Sequence, residues 1–205
     1  MKINWNNPRY LLLFPIVLLF WLSLVAMQWG MADLRIRFAR DLFDNWSQKT
    51  TPATIEDWNR VENTLLKAEK LTTSKHPDVK ELLGKAYIVR TGIVPIDLKE
   101  SLVSALQYYQ QAAILRPVSP YPWATIAIIQ HALGRYDDSF DEALSKAVYY
   151  GQWNPDVLLM LTEVAFSSRT MNLSTTARIL LDDNVKRALK VQRGKVEKLK
   201  EKLNI

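Results

Sequence analysis

From Tyr10 to Ala32 the chain reads YLLLFPIVLLFWLSLVAMQWGMA, 23 positions without a charged side chain. At about 1.5 Å per helical residue the run covers roughly 35 Å, enough to cross a hydrocarbon layer of about 30 Å. Trp5, Tyr10, Trp21 and Trp29 set aromatic rings near both ends, where amphipathic rings favour the interface. Pro15 falls in the second turn, which membrane helices tolerate. The run is longer than the apolar part of a secretory signal, about 7–15 residues, and Gly30-Met31-Ala32 is a poor cleavage site. An uncleaved anchor is therefore the expectation and a cleaved signal peptide the alternative. Lys2 and Arg9 precede the span, while Arg35, Arg37 and Arg40 follow it beside Asp33 and Asp41, so basic residues barely choose an orientation. A short head before a large body favours a signal-anchor with the body outside the cytoplasm.

The chain has 205 residues, enough for one modest domain beside this segment, and an apolar fraction of 48% supports a core. There are no cysteines, which removes disulfide scaffolds, thiolate zinc sites and cysteine nucleophiles together. Six glycines, none in a phosphate-cradling pattern, argue against nucleotide loops. The net charge of +6 belongs to the segment from Val185 to Ile205 alone, and the remainder is balanced. A neutral body lacks the broad positive footprint of a nucleic-acid binder.

Beyond the span every segment carries helical periodicity and none alternates as a strand. In DLRIRFARDLFDNWSQK, Ala39, Leu42, Phe43 and Trp46 form one stripe, and Pro52 in SQKTTPAT marks a break. Trp58, Val61, Leu65, Ala68 and Leu71 form the next apolar face. A helix capped by Asp78 follows through Arg90, then VRTGIVPID as a turn, then a helix from near Leu98 to Pro117. WATIAIIQHAL, YDDSFDEALSKAVYY, VLLMLTEVAF and TTARILLDDNVKRALK complete the series. The expected organisation is a head over 1–9, a transmembrane helix over 10–32, a helical stem and linker over 33–54, a helical domain over 55–184 and a basic C-terminal helix over 185–205.

Helix pairs recurring about every 34–40 residues mark solenoids. Leu83, Gly84 and Tyr87, then Ala105, Tyr109, Ala112 and Pro117, match the tetratricopeptide pattern within each helix, although nine extra residues, VRTGIVPID, separate the two. A second unit carries Trp123, Gly134, Tyr136, Ala143 and Ala147, with Ser139 at an expected alanine. The chain thus resembles tetratricopeptide-repeat proteins, which implies an all-α fold: an N-terminal transmembrane helix followed by a small solenoid of helix hairpins. In SALQYYQQAAILRP the small residues Ala105 and Ala112 permit close helix approach, Tyr109 fills the gap toward a neighbouring unit, and Pro117 stops the helix. A non-repetitive bundle with alanine-rich interfaces is the rival.

The head, single span, stem from Ala32 to Trp46, Trp58 helix and degenerate repeats together resemble VpsP-type proteins, membrane-anchored proteins found with bacterial extracellular-polysaccharide genes. The resemblance covers nearly the full chain. It implies a single-pass inner-membrane protein with a periplasmic helical domain acting in polysaccharide or biofilm-matrix production. With the anchor, the repeats and the absence of catalytic motifs, the expected partners are the lipid bilayer and other proteins of a polysaccharide synthesis or export complex, with no cofactor and no nucleic acid. By repeat register, Glu81, Lys85, Ile88, Tyr121, Ala124, Ile128 and His131 would line the partner groove.

No constellation in the sequence points to catalysis. His76 reads as a solvated loop histidine, and His131 as either a groove residue or a satisfied structural one. Neither has a helical companion at zinc-binding spacing. Asp137, Asp138, Asp141 and Glu142 open a helix, where carboxylates cap free N–H groups, and Asp182-Asp183 reads as an exposed pair before a basic helix. The expectation is a non-catalytic scaffold. A holdase for membrane proteins and a glycan-acting enzyme using its tryptophans are the alternatives. In the tail, Val185, Leu189, Gln192, Val196, Leu199 and Leu203 form a narrow stripe beside a lysine face. Capping of the last helix, a coiled coil with a partner and a membrane-surface helix all remain open for it.

Overall fold

The computed structural model describes residues 8–48, 53–72 and 75–204. Lys2 and Trp5 of the head and Pro52 of the expected break lie outside these residues. Among the described residues the fold is all-helical, as the periodicity implied: α1 (Pro8–Gln48), α2 (Ile55–Leu71), α3 (Pro77–Ile93), α4 (Leu98–Leu115), α5 (Pro120–Ala132), α6 (Asp138–Gly151), α7 (Pro155–Ser167) and α8 (Thr175–Lys202). Successive helices pack as hairpins, and these stack on one another, consistent with a solenoid-like domain.

α1 is one unbroken helix of 41 residues. Its first part is long and apolar enough to cross a membrane. Large apolar side chains there, Phe14, Phe20, Trp21 and Leu24 among them, are uncovered by any other element, unlike those of a core helix. The helix does not pause where charge begins at Asp33, and the Arg37–Asp33 pair at 2.9 Å stitches this turn along the axis. From there α1 becomes amphipathic: Ala32, Ile36, Ala39 and Phe43 are buried, while Leu42 and Trp46 are half-covered.

Thr54 caps α2, its hydroxyl accepting from Asp57 N while the Asp57 carboxylate accepts from Thr54 N. Trp58, Val61, Leu65 and Ala68 form the buried face and join Ile36, Ala39, Phe43, Val79, Leu82, Leu83 and Ala86 in one apolar cluster. A larger cluster runs from Leu102 on α4 through Ile126, Phe140, Leu144 and Leu161 to Leu181 on α8. A third, of Leu158, Phe166, Ala188, Val196 and Leu199, closes the far end.

Three local expectations are corrected. Asp78 does not cap α3. Pro77 occupies the first turn after His76, and its fixed φ opens the helix without a side-chain cap. The nine residues VRTGIVPID are not an open turn, because α3 continues through Ile93 and a short 3-10 turn at Pro95–Asp97 leads straight into α4. Gly92 is tolerated inside the helix, so the chain stops only as Pro95 approaches. Asp182 and Asp183 are exposed within a helix, as expected, but the basic segment after them is a continuation of that same helix, α8, which starts at Thr175 under a Ser174 cap.

α8 also settles where the tail goes. Its backbone leaves helical geometry at Gln192 (φ −150°, ψ 52°), where the Gln192 amide hydrogen-bonds Pro155 O at the start of α7. The kink folds the basic segment back, so Val196 and Leu199 bury against Leu158 and Phe166, with Leu203 packed beside them. The narrow stripe is spent inside the chain, closing the end of the stack and leaving the lysines in solvent.

Candidate functional site

Residues expected to pack the hairpins do so with close tolerances. A Cβ built on Gly84 would stand 2.6 Å from the Tyr109 ring, so only glycine lets α3 and α4 approach as they do. Leu83, Ala105 and Ala112 are fully buried. Tyr87 donates to Glu62 Oε1 at 2.6 Å, stacks on Tyr108 and meets Trp58 edge-on. Trp58 Nε1 donates to Ala86 O at 2.8 Å under the Arg90 guanidinium. Trp123 Nε1 donates to Pro117 O at 2.8 Å, with Lys146 over its ring. Gly134 takes φ +67° to end α5, a conformation that favours glycine. Both indole N–H groups are satisfied within the fold, with Trp58 buried and Trp123 half-buried.

The residues assigned to a partner groove are distributed over the core, two recesses and the start of α5. Ala124 is fully buried in the core and presents nothing to a partner. Ile88 packs against the large cluster. Glu81 and Lys85 border a recess of about 270 Å³ with Arg40, Asp78 and Arg116, where α1, α3 and α4 meet. Ile128 and His131 border a separate recess of about 220 Å³ with Met160, Glu163, Ser167 and Leu203. Tyr121 lies elsewhere, accepting a hydrogen bond from Asn154 Nδ2 at 2.9 Å.

The first recess is an ion-pair clasp. The Asp78 carboxylate receives Arg40 from α1 at 2.6 Å and Arg116 from the end of α4 at 2.7 Å. Burial pulls this carboxyl upward, but the hydrogen bonds and charges of Arg116 and Arg40 together outweigh it and hold Asp78 below its ordinary value. Glu81, one turn on, is raised by burial, with Arg116 only partly opposing, so it is the reluctant anion of the two.

In the second recess His131 is a satisfied structural residue. Ser167 donates its hydroxyl proton to Glu163 O at 2.7 Å, which leaves its oxygen to accept from Nε2–H at 2.8 Å. Nδ1 then accepts from Tyr136 Oη at 2.8 Å. This directional chain needs the neutral ring, and burial lowers the His131 pKa, with the Glu163 charge partly opposing. His76 is half-buried at the start of α3, not solvated as a loop residue would be. Among the described residues no three His, Asp or Glu side chains cluster in a metal-holding arrangement.

A surface outside the repeat register is aromatic. Tyr149 and Tyr150 end α6, Trp153 follows in the next turn, and all three are exposed, Tyr149 by 72% and Trp153 by 61%. The α4–α5 connection adjoins them: a Cβ on Gly151 would touch Pro120 at 2.9 Å, and Asn154 holds Tyr121. Tyr121, Tyr149, Tyr150 and Trp153 therefore form one rim at one end of the stacked hairpins. Its signal in the sequence was YYGQW, three aromatics in five residues at a helix end, out of step with any buried face.

The arrangement defines a class of protein: a stack of helix hairpins carried on a long N-terminal helix whose first part can cross a membrane. No protein-family model and no curated protein matches the chain.

Proposed function

We propose that this protein is a non-catalytic membrane-anchored scaffold that holds partner proteins of a bacterial extracellular-polysaccharide synthesis or export system, with its helical domain on the periplasmic side of the inner membrane. The observation that carries the docking role is the exposed rim of Tyr121, Tyr149, Tyr150 and Trp153. Tyrosine and tryptophan supply large, stiff, amphipathic contact area and dominate binding hot spots, and uncovered rings of this size are costly to leave in water without use. The polysaccharide context is supported by the likeness of head, span, stem and degenerate repeats to VpsP-type proteins, and membership of the tetratricopeptide class is part of the same proposal.

The test places a photoreactive amino acid at Tyr149 in the full-length protein in its native host and identifies the adducts by mass spectrometry. One dominant adduct with a polysaccharide synthesis or export protein, lost in Trp153→Ala, is the expected result. Many substoichiometric membrane-protein adducts would replace the scaffold with the holdase reading. A free Tyr149 with undiminished polymer after Trp153→Ala would remove the docking role from this surface.

A further inference from the structure

One end of the domain returns to the apolar part of α1. Arg60 on α2 lies over the Phe38 ring of α1 at 5.3 Å, and Thr64 shares a recess with Met31, Leu34, Arg35 and Phe38. α2 therefore runs antiparallel to α1, back toward the uncharged stretch. Six residues from Thr64 to Lys70 advance it about 9 Å further. That brings Lys67 and Lys70 alongside Met27–Met31, the level at which the uncharged run ends. Ala32 is 1% exposed, as expected where a neighbouring helix covers that turn. Lys75 follows in the connection to α3, its amide bonded to Thr72 O.

Charge is polarised along α2. Its start carries Glu56 and Asp57, its end carries Lys67 and Lys70, and Lys75 follows in the connection, the three lysines all exposed. The acidic groups near the basic end are already matched: Glu69 by Lys80, and Asp33 by Arg37. No carboxylate partner accompanies Lys67, Lys70, Lys75 or Arg35 among the described residues, which leaves four cations without a carboxylate partner toward this end of the domain. Lys70 also offsets the helix dipole, but Lys67 lies one turn too early and Lys75 beyond the helix for that role.

We propose that Lys67, Lys70 and Lys75, with Arg35, form a basic collar that holds the phosphates of anionic phospholipid headgroups, giving the domain a second attachment to the bilayer beside α1. The collar rests on α1 being a bilayer span. Given that span, the Lys67 and Lys70 ammonium groups stand at headgroup depth, within a Debye length of the surface, where an anionic leaflet attracts each basic residue, and Lys75 and Arg35 lie beside them on the domain side. Their aliphatic stems let them reach the interface from a helix end close to it.

The experiment uses the full chain reconstituted in bilayers of phosphatidylcholine alone and of phosphatidylcholine mixed with phosphatidylglycerol. Lysine acetylation is quantified residue by residue, with Lys99, at the opposite end of the α3–α4 hairpin, as internal control. In the anionic bilayer Lys67, Lys70 and Lys75 should label about fivefold less than in the neutral one, with Lys99 unchanged and the protection lost in high salt. K67Q/K70Q/K75Q should remain resistant to alkaline carbonate extraction yet lose enrichment of co-purifying phosphatidylglycerol. Equal labelling in both bilayers, in a chain that resists extraction, overturns the collar and leaves the span intact. Release by carbonate overturns the span, and the collar with it.

Discussion

Where α1 meets α2 and α3, the interface carries large rings: Phe43 meets Trp46 edge-on, Trp58 meets Tyr87 edge-on within the same apolar cluster, and Arg40, Arg90 and Lys85 add charge across the helices. Where the hairpins of α3 to α6 meet, it is built from closeness instead: Gly84 under Tyr109, and Ala105, Ala113, Ala124, Ala127, Ala143 and Ala147 all buried. The difference follows from what each interface holds. Hairpins must stack in register, and small side chains fix register by admitting one close approach. The long helix α1 leaves the domain at one end and needs lateral grip over a few turns, which large rings and long cations supply. The balance of packing thus differs between the part that anchors and the part that stacks, although Ala39, Ala68 and Ala86 are also buried on the first side and Phe140 and Leu144 on the second.

Trp58→Ala should divide the two interfaces most sharply. It removes a buried ring, the hydrogen bond to Ala86 O and the surface on which Tyr87 and Arg90 rest. A loss of about 3–5 kcal/mol is expected in denaturant titration of the detergent-solubilised chain. Limited proteolysis should show new cleavage between residues 33 and 48 before any cleavage in α5–α7. Simultaneous cleavage throughout would show that the two interfaces are one cooperative unit.

Gly84→Ala tests the close-packed side. Alanine gains about 1 kcal/mol of helix propensity, yet its methyl would meet a Tyr109 ring that is itself buried, and overpacking of this kind costs about 1–3 kcal/mol. A lowered melting temperature is expected, restored in part by combining it with Tyr109→Leu. Gly92→Ala is the contrast, since nothing lies within 4 Å of the place its Cβ would take. It should leave the melting temperature unchanged or raise it.

The close-packed interface was the legible one, because register between adjacent helices is written in local spacing: Gly84, Tyr87, Ala105, Tyr109 and Ala112 fall where helical periodicity places contacts. The clasp was not, since Asp78 meets Arg40 and Arg116, each 38 residues away along the chain, and no local pattern ties them. Asp78 looked like a cap because carboxylates favour first turns, but Pro77 had already set the backbone. The groove assignment misplaced Ala124, which is buried in the core. Repeat register assumed a single concave face, whereas the longer α3 and the returning α8 place Lys85 and His131 in different recesses. The aromatic rim was visible as YYGQW but carried no periodicity to place it. The tail's stripe was legible and its partner was not, because the choice among three readings turned on one non-helical residue, Gln192.

A pH series separates the interfaces without mutation. His131 belongs to the stacked side, and its pKa is lowered by burial from 6.5. A depressed folded-state value means that folding favours the neutral ring. Its contribution is therefore full above about pH 6.5 and declines as pH falls through that value toward the folded one. The melting temperature of the wild type should drop over this window more than that of His131→Gln, which keeps a polar side chain but has no proton to take up. Parallel curves for the two proteins would show that the Tyr136–His131–Ser167 chain does not resist protonation.

The smallest effect is expected at the clasp. Arg40 is about half exposed, and exposed ion pairs contribute about 0–1 kcal/mol, so Arg40→Gln should barely move global stability. Its consequence is directional: one of the two guanidiniums on Asp78 is lost, and the carboxyl should titrate closer to its ordinary value of 3.8. Because the folded value is depressed, the clasp is intact above about pH 3.8 and weakens as pH falls through the folded value, sooner in Arg40→Gln than in the wild type. Glu81 works the other way, since burial favours its neutral form, so its ionisation costs stability as pH rises and partly masks Asp78 in any bulk measurement. Carbon-detected NMR of the Asp78 carboxyl resolves the two. An unchanged Asp78 titration in the variant would mean that Arg116 alone holds the charge, and that α1 is gripped by its rings and not by its arginine.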